Sequence, residues 1–221
     1  MLSENLQKIQ VQIPQSCMLL PVSKTKPLAL LQEAYNLGIR MFGENKVQEL
    51  VDKSDALPKD IQWHFIGHLQ TNKVKFIAPF VHLIHAIDSL KLLKEINKRA
   101  IQNNRIINCL LQIHIAEESS KFGLSPEGLF DLINNEAFKN LQNIKVVGLM
   151  GMATNTSDLQ KVRTEFKNLK TLFEQLKKDH QSEKNMEFSE ISMGMSNDYP
   201  IAIEEGSTIV RIGSLIFGNR N

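Results

Sequence analysis

The 221 residues carry 26 Lys+Arg against 24 Asp+Glu, with 42% hydrophobic and 23% charged residues, the composition of an ordinary soluble globular chain. That near balance leaves no strong field to draw nucleic acid or an anionic membrane, and a pI of 8.5 alone decides nothing. The length suits one substantial core and falls short for two, so a single domain is expected over residues 1–221, with residues 1–15 as a short helical segment.

In chain order, a weak helical pattern over the first 15 residues comes before an apolar run at 18–23, the first predicted strand. Polar residues interrupt Met1-Leu2-Ser3-Glu4-Asn5-Leu6-Gln7-Lys8 where a signal peptide needs a continuous apolar core, and no window approaches a membrane span. The protein is therefore expected in the cytoplasm. Pro27 fits the first position of a helix and Gly38 the residue after its end. Further strands are predicted at 41–43, 63–66 and 82–87. Asp88 or Ser89 could cap the stretch marked by Leu90, Leu93, Ile96 and Ala100. A strand at 109–115 follows, then Ser125-Pro126 opening a helix through Leu129, Leu132 and Ile133, then a strand at 146–150. The clearest helix follows Asp158: Leu159, Val162, Phe166, Leu169, Leu172, Phe173 and Leu176 recur at three and four, with lysines on a solvated opposite face. Residues 180–185 make the best surface loop, and strands at 190–193 and 208–212 complete the pattern. Cys17 and Cys109 lie in predicted buried strands and form no Cys-x-x-Cys pair, as expected of core thiols in a reducing compartment.

Eight strands with helices between them indicate parallel pairing through right-handed crossovers. The choice lies between an open doubly wound sheet and a closed (β/α)8 TIM barrel; strand count and length favour the barrel, whose range begins near ~200 residues. Only seven residues follow Ser214, too few for a regular eighth helix, and the first 15 residues are the candidate to cover that gap.

Lys24 ends the apolar run Cys17-Met18-Leu19-Leu20-Pro21-Val22-Ser23, where a barrel places an amine that must reach a ligand. Lys26 competes, but it precedes a proline that restricts its backbone and suits helix entry. A desolvated lysine loses proton affinity, and its neutral amine can attack an aldehyde. Ser196, before Asn197-Asp198-Tyr199-Pro200, reads as a helix cap and first turn, with N–H groups for a dianionic phosphate or with a plain capping role. Gly213-Ser214 follows the last strand, and turns after strands seven and eight of barrels often hold phosphate. One amine and two phosphate-type turns suggest a phosphorylated aldehyde cofactor. Arg211, inside an apolar strand, needs either a structural ion pair or a ligand heteroatom. His64 and His68 are four apart and His82 and His85 three apart, and no zinc site is expected from them. Gly-x-Gly-x-x-Gly, P-loop and Gly-x-Ser-x-Gly motifs are absent.

Val22-Ser23-Lys24-Thr25-Lys26-Pro27, Phe42-Gly43-Glu44-Asn45, Trp63-His64-Phe65-Ile66-Gly67 with Leu69-Gln70-Thr71-Asn72-Lys73, Gly148-Leu149-Met150, Gly194-Met195-Ser196, and Val210-Arg211-Ile212-Gly213-Ser214 followed by Phe217-Gly218 stand in that order. Together they resemble the pyridoxal 5'-phosphate (PLP) homeostasis protein family, relatives of the alanine racemase N-terminal barrel, over about residues 18–218. The resemblance implies a (β/α)8 barrel of the fold-type III PLP class carrying PLP as an aldimine on Lys24. It places Ser196, Gly213 and Ser214 on the phosphate and Arg211 at the pyridine nitrogen. Asn45, His64 and Met195 line the cofactor, and Lys121, in Ser119-Ser120-Lys121-Phe122-Gly123, sits where the racemases have an arginine near the phenolic oxygen.

A guanidinium, always protonated, disfavours a proton on the pyridine nitrogen and makes the ring a poorer electron sink. The related racemases add a tyrosine base from another domain, which the resemblance does not supply here, and residues 148–153 hold methionines and glycine where they place a stacking histidine. The implied role is a PLP carrier or buffer that maintains B6 and amino-acid balance, a monomer that hands cofactor transiently to apoenzymes. A weak amino-acid racemase with Lys24 as its only base is the alternative, and a barrel whose lysine acts on a sugar or keto-acid carbonyl is a third reading. Two departures from the family stand out. The segment before the first strand is short, which suggests a truncated first helix, and His114 replaces a more usual asparagine near the barrel mouth.

Overall fold

The computed structural model describes residues 2–118, 122–180 and 183–218. Eight parallel strands, β1 (Met18–Pro21), β2 (Met41–Glu44), β3 (Gln62–Phe65), β4 (Leu83–Ile87), β5 (Ile107–Ile113), β6 (Ile144–Gly151), β7 (Met186–Ser192) and β8 (Ile209–Ile212), form one sheet in the order β1-β8-β7-β6-β5-β4-β3-β2. Between them run helices α1 (Leu2–Gln10), α2 (Leu28–Asn36), α3 (Val47–Ala56), α4 (Val74–Ile77), α5 (Leu90–Gln102), α6 (Pro126–Asn134), α7 (Glu136–Lys139), α8 (Leu159–Asp179), α9 (Tyr199–Glu204) and α10 (Ser214–Phe217). The sheet curls until its edge strands meet, giving a nearly closed (β/α)8 barrel. All eight expected strands are present.

The bounds differ where alternation hid them. β7 starts at Met186, not 190, because buried Met186 and Phe188 alternate with exposed Glu187 and Ser189, the signature of a strand with one wet face. β5 likewise starts at Ile107 and stops at Ile113. Pro27 is one residue earlier than expected: its extended backbone (φ −69°, ψ 152°) caps α2, which begins at Leu28. Gly38 follows the helix end at φ +97°. Ser89, not Asp88, caps α5 by accepting the Leu92 N–H at 3.4 Å, and Asp158 caps α8 by accepting from Gln160 and Lys161. Within 180–185, Asn185 is buried, with its amide donating to Phe138 O at 2.9 Å.

Two apolar layers hold the barrel. Leu20, Leu83, Leu110, Met150 and Ile209 fill its interior with Met18, Met41, Ile66 and Met152 against them. Outside, Phe42, Phe65, Phe138, Phe166 and Phe173 are buried between sheet and helices, each contributing roughly 1.5–3 kcal/mol by burial. Among the described residues the last strand is followed only by the four-residue α10. As anticipated, α1 covers the gap: it buries Leu2, Leu6 and Ile9, and Asn5 donates to Ile216 O at 3.1 Å.

The closure is uneven. Every residue of β5 pairs with β6, from Ile107↔Ile144 to Ile113↔Gly151, across one bulge at Val147. Between β1 and β2 the ladder is one bridge, Val22↔Gly43, with the Ser23 N–H donating to Gly43 O at 3.0 Å. Polar side chains take over there, immediately before Lys24. Among the described residues no helix is long and apolar enough to cross a membrane, and no group of three His, Cys, Asp or Glu side chains is arranged to hold a metal.

Candidate functional site

A cavity of about 610 Å³ lies at the carboxyl ends of the strands. Its walls are the segments that follow them: Lys24 and Lys26 after β1, Asn45 after β2, Ile66 after β3, Met152–Thr156 after β6, Met195–Asp198 after β7, and Gly213 and Ser214 after β8. Arg211 reaches it from β8 itself. This is the face on which barrels build their sites, and the volume suits a small cofactor.

Lys24 stands second in a tight turn in which the Lys26 N–H donates to Ser23 O at 3.0 Å. Thr25, third in the turn, has φ +64°, a conformation such turns normally give to glycine. A β-branched residue there stores roughly 1–3 kcal/mol of strain and persists only if its surroundings over-determine it. They do. The Thr25 N–H donates to Glu49 Oε1 at 2.5 Å, and the Lys53 ammonium donates to Ser23 O, Glu44 Oε1 and Glu49 Oε1, each at 2.7 Å. Ser23 Oγ–H donates to the same Glu44 oxygen at 2.6 Å. Glu44, Ser23 and Lys53 are all buried. Burial pushes the Glu44 carboxyl above the usual carboxylate range, and the Lys53 and Ser23 hydrogen bonds pull it part of the way back. Both candidate lysines face the cavity, but only Lys24 directly follows the clamped Ser23.

Asn45 is set by a close approach of two loops. A Cβ on Gly67 would lie 2.2 Å from Asn45 O, so only glycine lets the loop after β3 pass so near. Asn45 Oδ1 is buried without a hydrogen-bond partner, an orphan acceptor on a cavity-lining residue. Arg211 is 4% exposed and donates to Ser192 O and Ser192 Oγ at 2.8 Å and to Gly151 O at 3.1 Å. All three acceptors are uncharged. Burial lowers its pKa to about 10, Asp198 opposing, so it stays cationic at neutral pH.

Ser196 does not cap a helix, contrary to expectation. Asp198 is the residue before α9, and its Oδ1 accepts the Met195 N–H at 2.5 Å, closing a turn from Met195 to Asp198 that delays the helix. Gly194 enters that turn at φ +94°, with its Cα packed so that a Cβ would sit 2.5 Å from Ala202 Cβ. Ser196 and exposed Met195 thereby face the cavity from a loop. Gly213 stands just before α10 and Ser214 is its first residue, as expected of the second cradle.

His64 is not brought to the cavity. It lies on β3 two residues before Ile66, one layer deeper in the barrel, with Nδ1 2.9 Å from His85 Nε2. Register explains the miss. His64 pairs with Leu83, so His85 lies on the same face of the neighbouring strand, a relation that spacing along one strand does not expose. Lys121 lies outside the described residues. His114 does not line the cavity; its N–H donates to Leu124 O at 3.0 Å. Thr154 went unnoticed in the sequence. It is held at the cavity by buried Glu165 of α8, whose oxygens accept its N–H at 2.7 Å and its hydroxyl at 2.6 Å. The polar run Thr154-Asn155-Thr156-Ser157 after the sixth strand was the available signal.

An amine on a clamped turn, two serine hydroxyls, a buried cation and an orphan acceptor around one cavity fit a phosphorylated aldehyde with a heteroaromatic ring.

Residues 1–221 match the family described as "Alanine racemase, N-terminal domain". A pyridoxal phosphate homeostasis protein of Aquifex aeolicus is 44% identical over 203 residues, 91% of this chain and 86% of that one. One from Haemophilus influenzae is 37% identical over 100% of this chain and 96% of its own. Among solved structures, PipY of Synechococcus elongatus with PLP bound has a TM-score of 0.87 at 33% identity, covering 99% of this chain and 100% of that one. Alanine racemase from Bartonella henselae has a TM-score of 0.73 at 15% identity and shares the fold. The chain thus belongs to the alanine racemase N-terminal-domain family and, within it, to the pyridoxal phosphate homeostasis proteins.

Proposed function

We propose that this protein binds PLP through a covalent link to Lys24 Nζ and carries or buffers it without turnover, as a cytoplasmic monomer in which the whole chain serves as one binding domain. One observation carries the reading: Lys24, Asn45, Ser196, Arg211, Gly213 and Ser214 converge on one cavity at the carboxyl ends of the strands. PLP supplies a reactive aldehyde and a ring nitrogen that can take up a proton. The strained turn aims Lys24, while Ser196, Gly213 and Ser214 receive the phosphate. Arg211 faces the ring nitrogen. As a guanidinium still charged at neutral pH, it keeps a proton off that atom and leaves the site a weak electron sink, better suited to holding than to transforming. The homeostasis proteins of Aquifex aeolicus and Haemophilus influenzae, named for cofactor balance, and PipY with its bound PLP support this role. Apoenzymes that accept PLP are the proposed transient partners, and Lys121 is kept as a proposed contact.

The test is to add PLP, record visible-range absorbance, reduce with borohydride and map the modified peptide. Mass on Lys24 is expected. A colourless protein with no added mass refutes the reading, and mass on Lys26 moves the site. Incubating the loaded protein with single L-amino acids in deuterated water addresses turnover: absence of exchange at the alpha carbon is expected, and rapid exchange makes it a racemase.

A further inference from the structure

Below the cavity, four buried side chains from four strands form one continuous line of hydrogen bonds. Arg211 Nη1 on β8 lies 2.8 Å from Ser192 Oγ on β7, which lies 3.0 Å from His85 Nδ1 on β4. His85 Nε2 then lies 2.9 Å from His64 Nδ1 on β3. The line crosses the barrel interior.

Its direction follows by elimination. A guanidinium only donates, so Ser192 Oγ accepts from Arg211. The hydroxyl proton then has one acceptor in reach among the described residues, His85 Nδ1. That nitrogen is bare, so His85 carries its proton on Nε2 and donates to His64 Nδ1. His64 in turn keeps its proton on Nε2, a buried N–H without a partner. The reverse polarity, with His64 Nδ1–H donating to His85 Nε2 and His85 Nδ1–H to Ser192 Oγ, fails at the serine, whose proton would have no acceptor among the described residues. Burial supports the assignment by holding both rings neutral, His64 with a pKa near about 3.

We propose that Ser192 and His85 are positioning residues for Arg211, forming with His64 a one-way chain of dipoles that fixes the guanidinium toward the cavity in place of a carboxylate counter-ion. Among the described residues no carboxylate forms a salt bridge with Arg211: Asp198 at the cavity acts on it only through space, and its hydrogen-bond acceptors are a hydroxyl and two carbonyls. An anionic partner would cancel the positive charge that a ligand meets. Lone pairs turned toward the cation stabilise it and leave that charge whole. The consequence for the ring nitrogen rests on the PLP reading; the geometry of the chain does not.

The experiment has one arm without PLP and one with it. In the ligand-free protein, long-range proton–nitrogen spectra at neutral pH should show His64 and His85 both protonated at Nε2 only. A proton on Nδ1 of either ring overturns the proposal. Arg211 Nη rotation should be measurably faster in Ser192→Ala than in the wild type and Ser192→Thr, the carbonyls of Ser192 and Gly151 still restraining it; a rate unchanged in Ser192→Ala overturns the positioning role. With PLP, Ser192→Ala should shift the visible absorbance band and weaken binding about tenfold or more, the loss of a hydrogen bond to a charged group, while Ser192→Thr restores both. A wild-type spectrum and affinity in Ser192→Ala refutes the link to the cavity. Failure of the wild type to take up PLP refutes the functional reading instead, and the ligand-free spectra still decide the chain.

Discussion

Lys53 lies on α3, yet its ammonium donates to the backbone carbonyl of Ser23 at 2.7 Å, the residue that carries the chain into Lys24. The same nitrogen bridges Glu44 and Glu49, so one buried cation ties the seam between β1 and β2 to the turn that presents the reactive amine. Lys53→Met should therefore destabilise by about 3–5 kcal/mol, because it leaves the Glu44 carboxylate buried without its cation. Adding Glu44→Gln should recover much of the loss. Urea unfolding of the two variants measures this, and a single variant as stable as wild type would contradict the buried clamp.

Thr25 provides a test of opposite sign. Its φ of +64° is costly for threonine and free for glycine. Thr25→Gly should leave stability unchanged or raise it by up to about 1 kcal/mol, as relieved strain offsets added chain entropy. Glu49→Gln, which weakens the hydrogen bonds from Thr25 and Lys53, should lower it by about 1–2 kcal/mol. In Thr25→Gly the amine is aimed less firmly, so attachment of PLP to Lys24 should slow, as followed by stopped-flow absorbance.

The barrel interior makes stability depend on pH. Burial depresses the His64 pKa to about 3 and His85 well below its ordinary value, with His82 lowered too. Below about pH 6.5 the unfolded chain takes up protons that the folded rings refuse, so the stabilisation is full above that pH and is lost as pH falls toward the folded values. Each fully buried ring contributes a slope of about 1.4 kcal/mol per pH unit. Glu44, with its pKa raised, works the other way, its contribution fading as pH rises, but it is one carboxyl against the two buried imidazoles of His64 and His85. Urea midpoints at about pH 7 and about pH 5.5 should fall markedly at the lower value; equal midpoints would mean the histidines are hydrated.

Gly67→Ala should misplace Asn45, since the new methyl cannot share space with Asn45 O. Overpacking of this kind costs about 1–3 kcal/mol. PLP affinity should fall in parallel. An alanine variant with wild-type stability and affinity would show that the two loops move apart freely.

Much of the fold was legible because barrel strands are short apolar runs between helices with caps at Ser89, Ser125 and Asp158, which are local signals. The Lys24 turn and the Gly213-Ser214 turn were legible for a related reason: each follows a strand directly. What escaped depends on pairing between distant segments. Glu49 and Lys53 drew no notice in the sequence, because only the packing of α3 beside the first turn brings them to Thr25 and Ser23. His64 read as a cofactor contact, and only the β3–β4 register turns it toward His85. Ser196 is the local exception: Asp198, three residues after Met195, binds back to the Met195 N–H and takes the position before α9 instead.

A cylinder stapled along β5 and β6 but held by one pair at β1–β2 and one at β7–β8 will part first where the pairs are few. The amides of Ser23 and of the turn beyond it should thus be among the first in the sheet to exchange with deuterium, while those of β5 and β6 exchange last. The segment that offers its amine to an incoming aldehyde is then the one most able to loosen, and a bound guest would fasten the seam from inside.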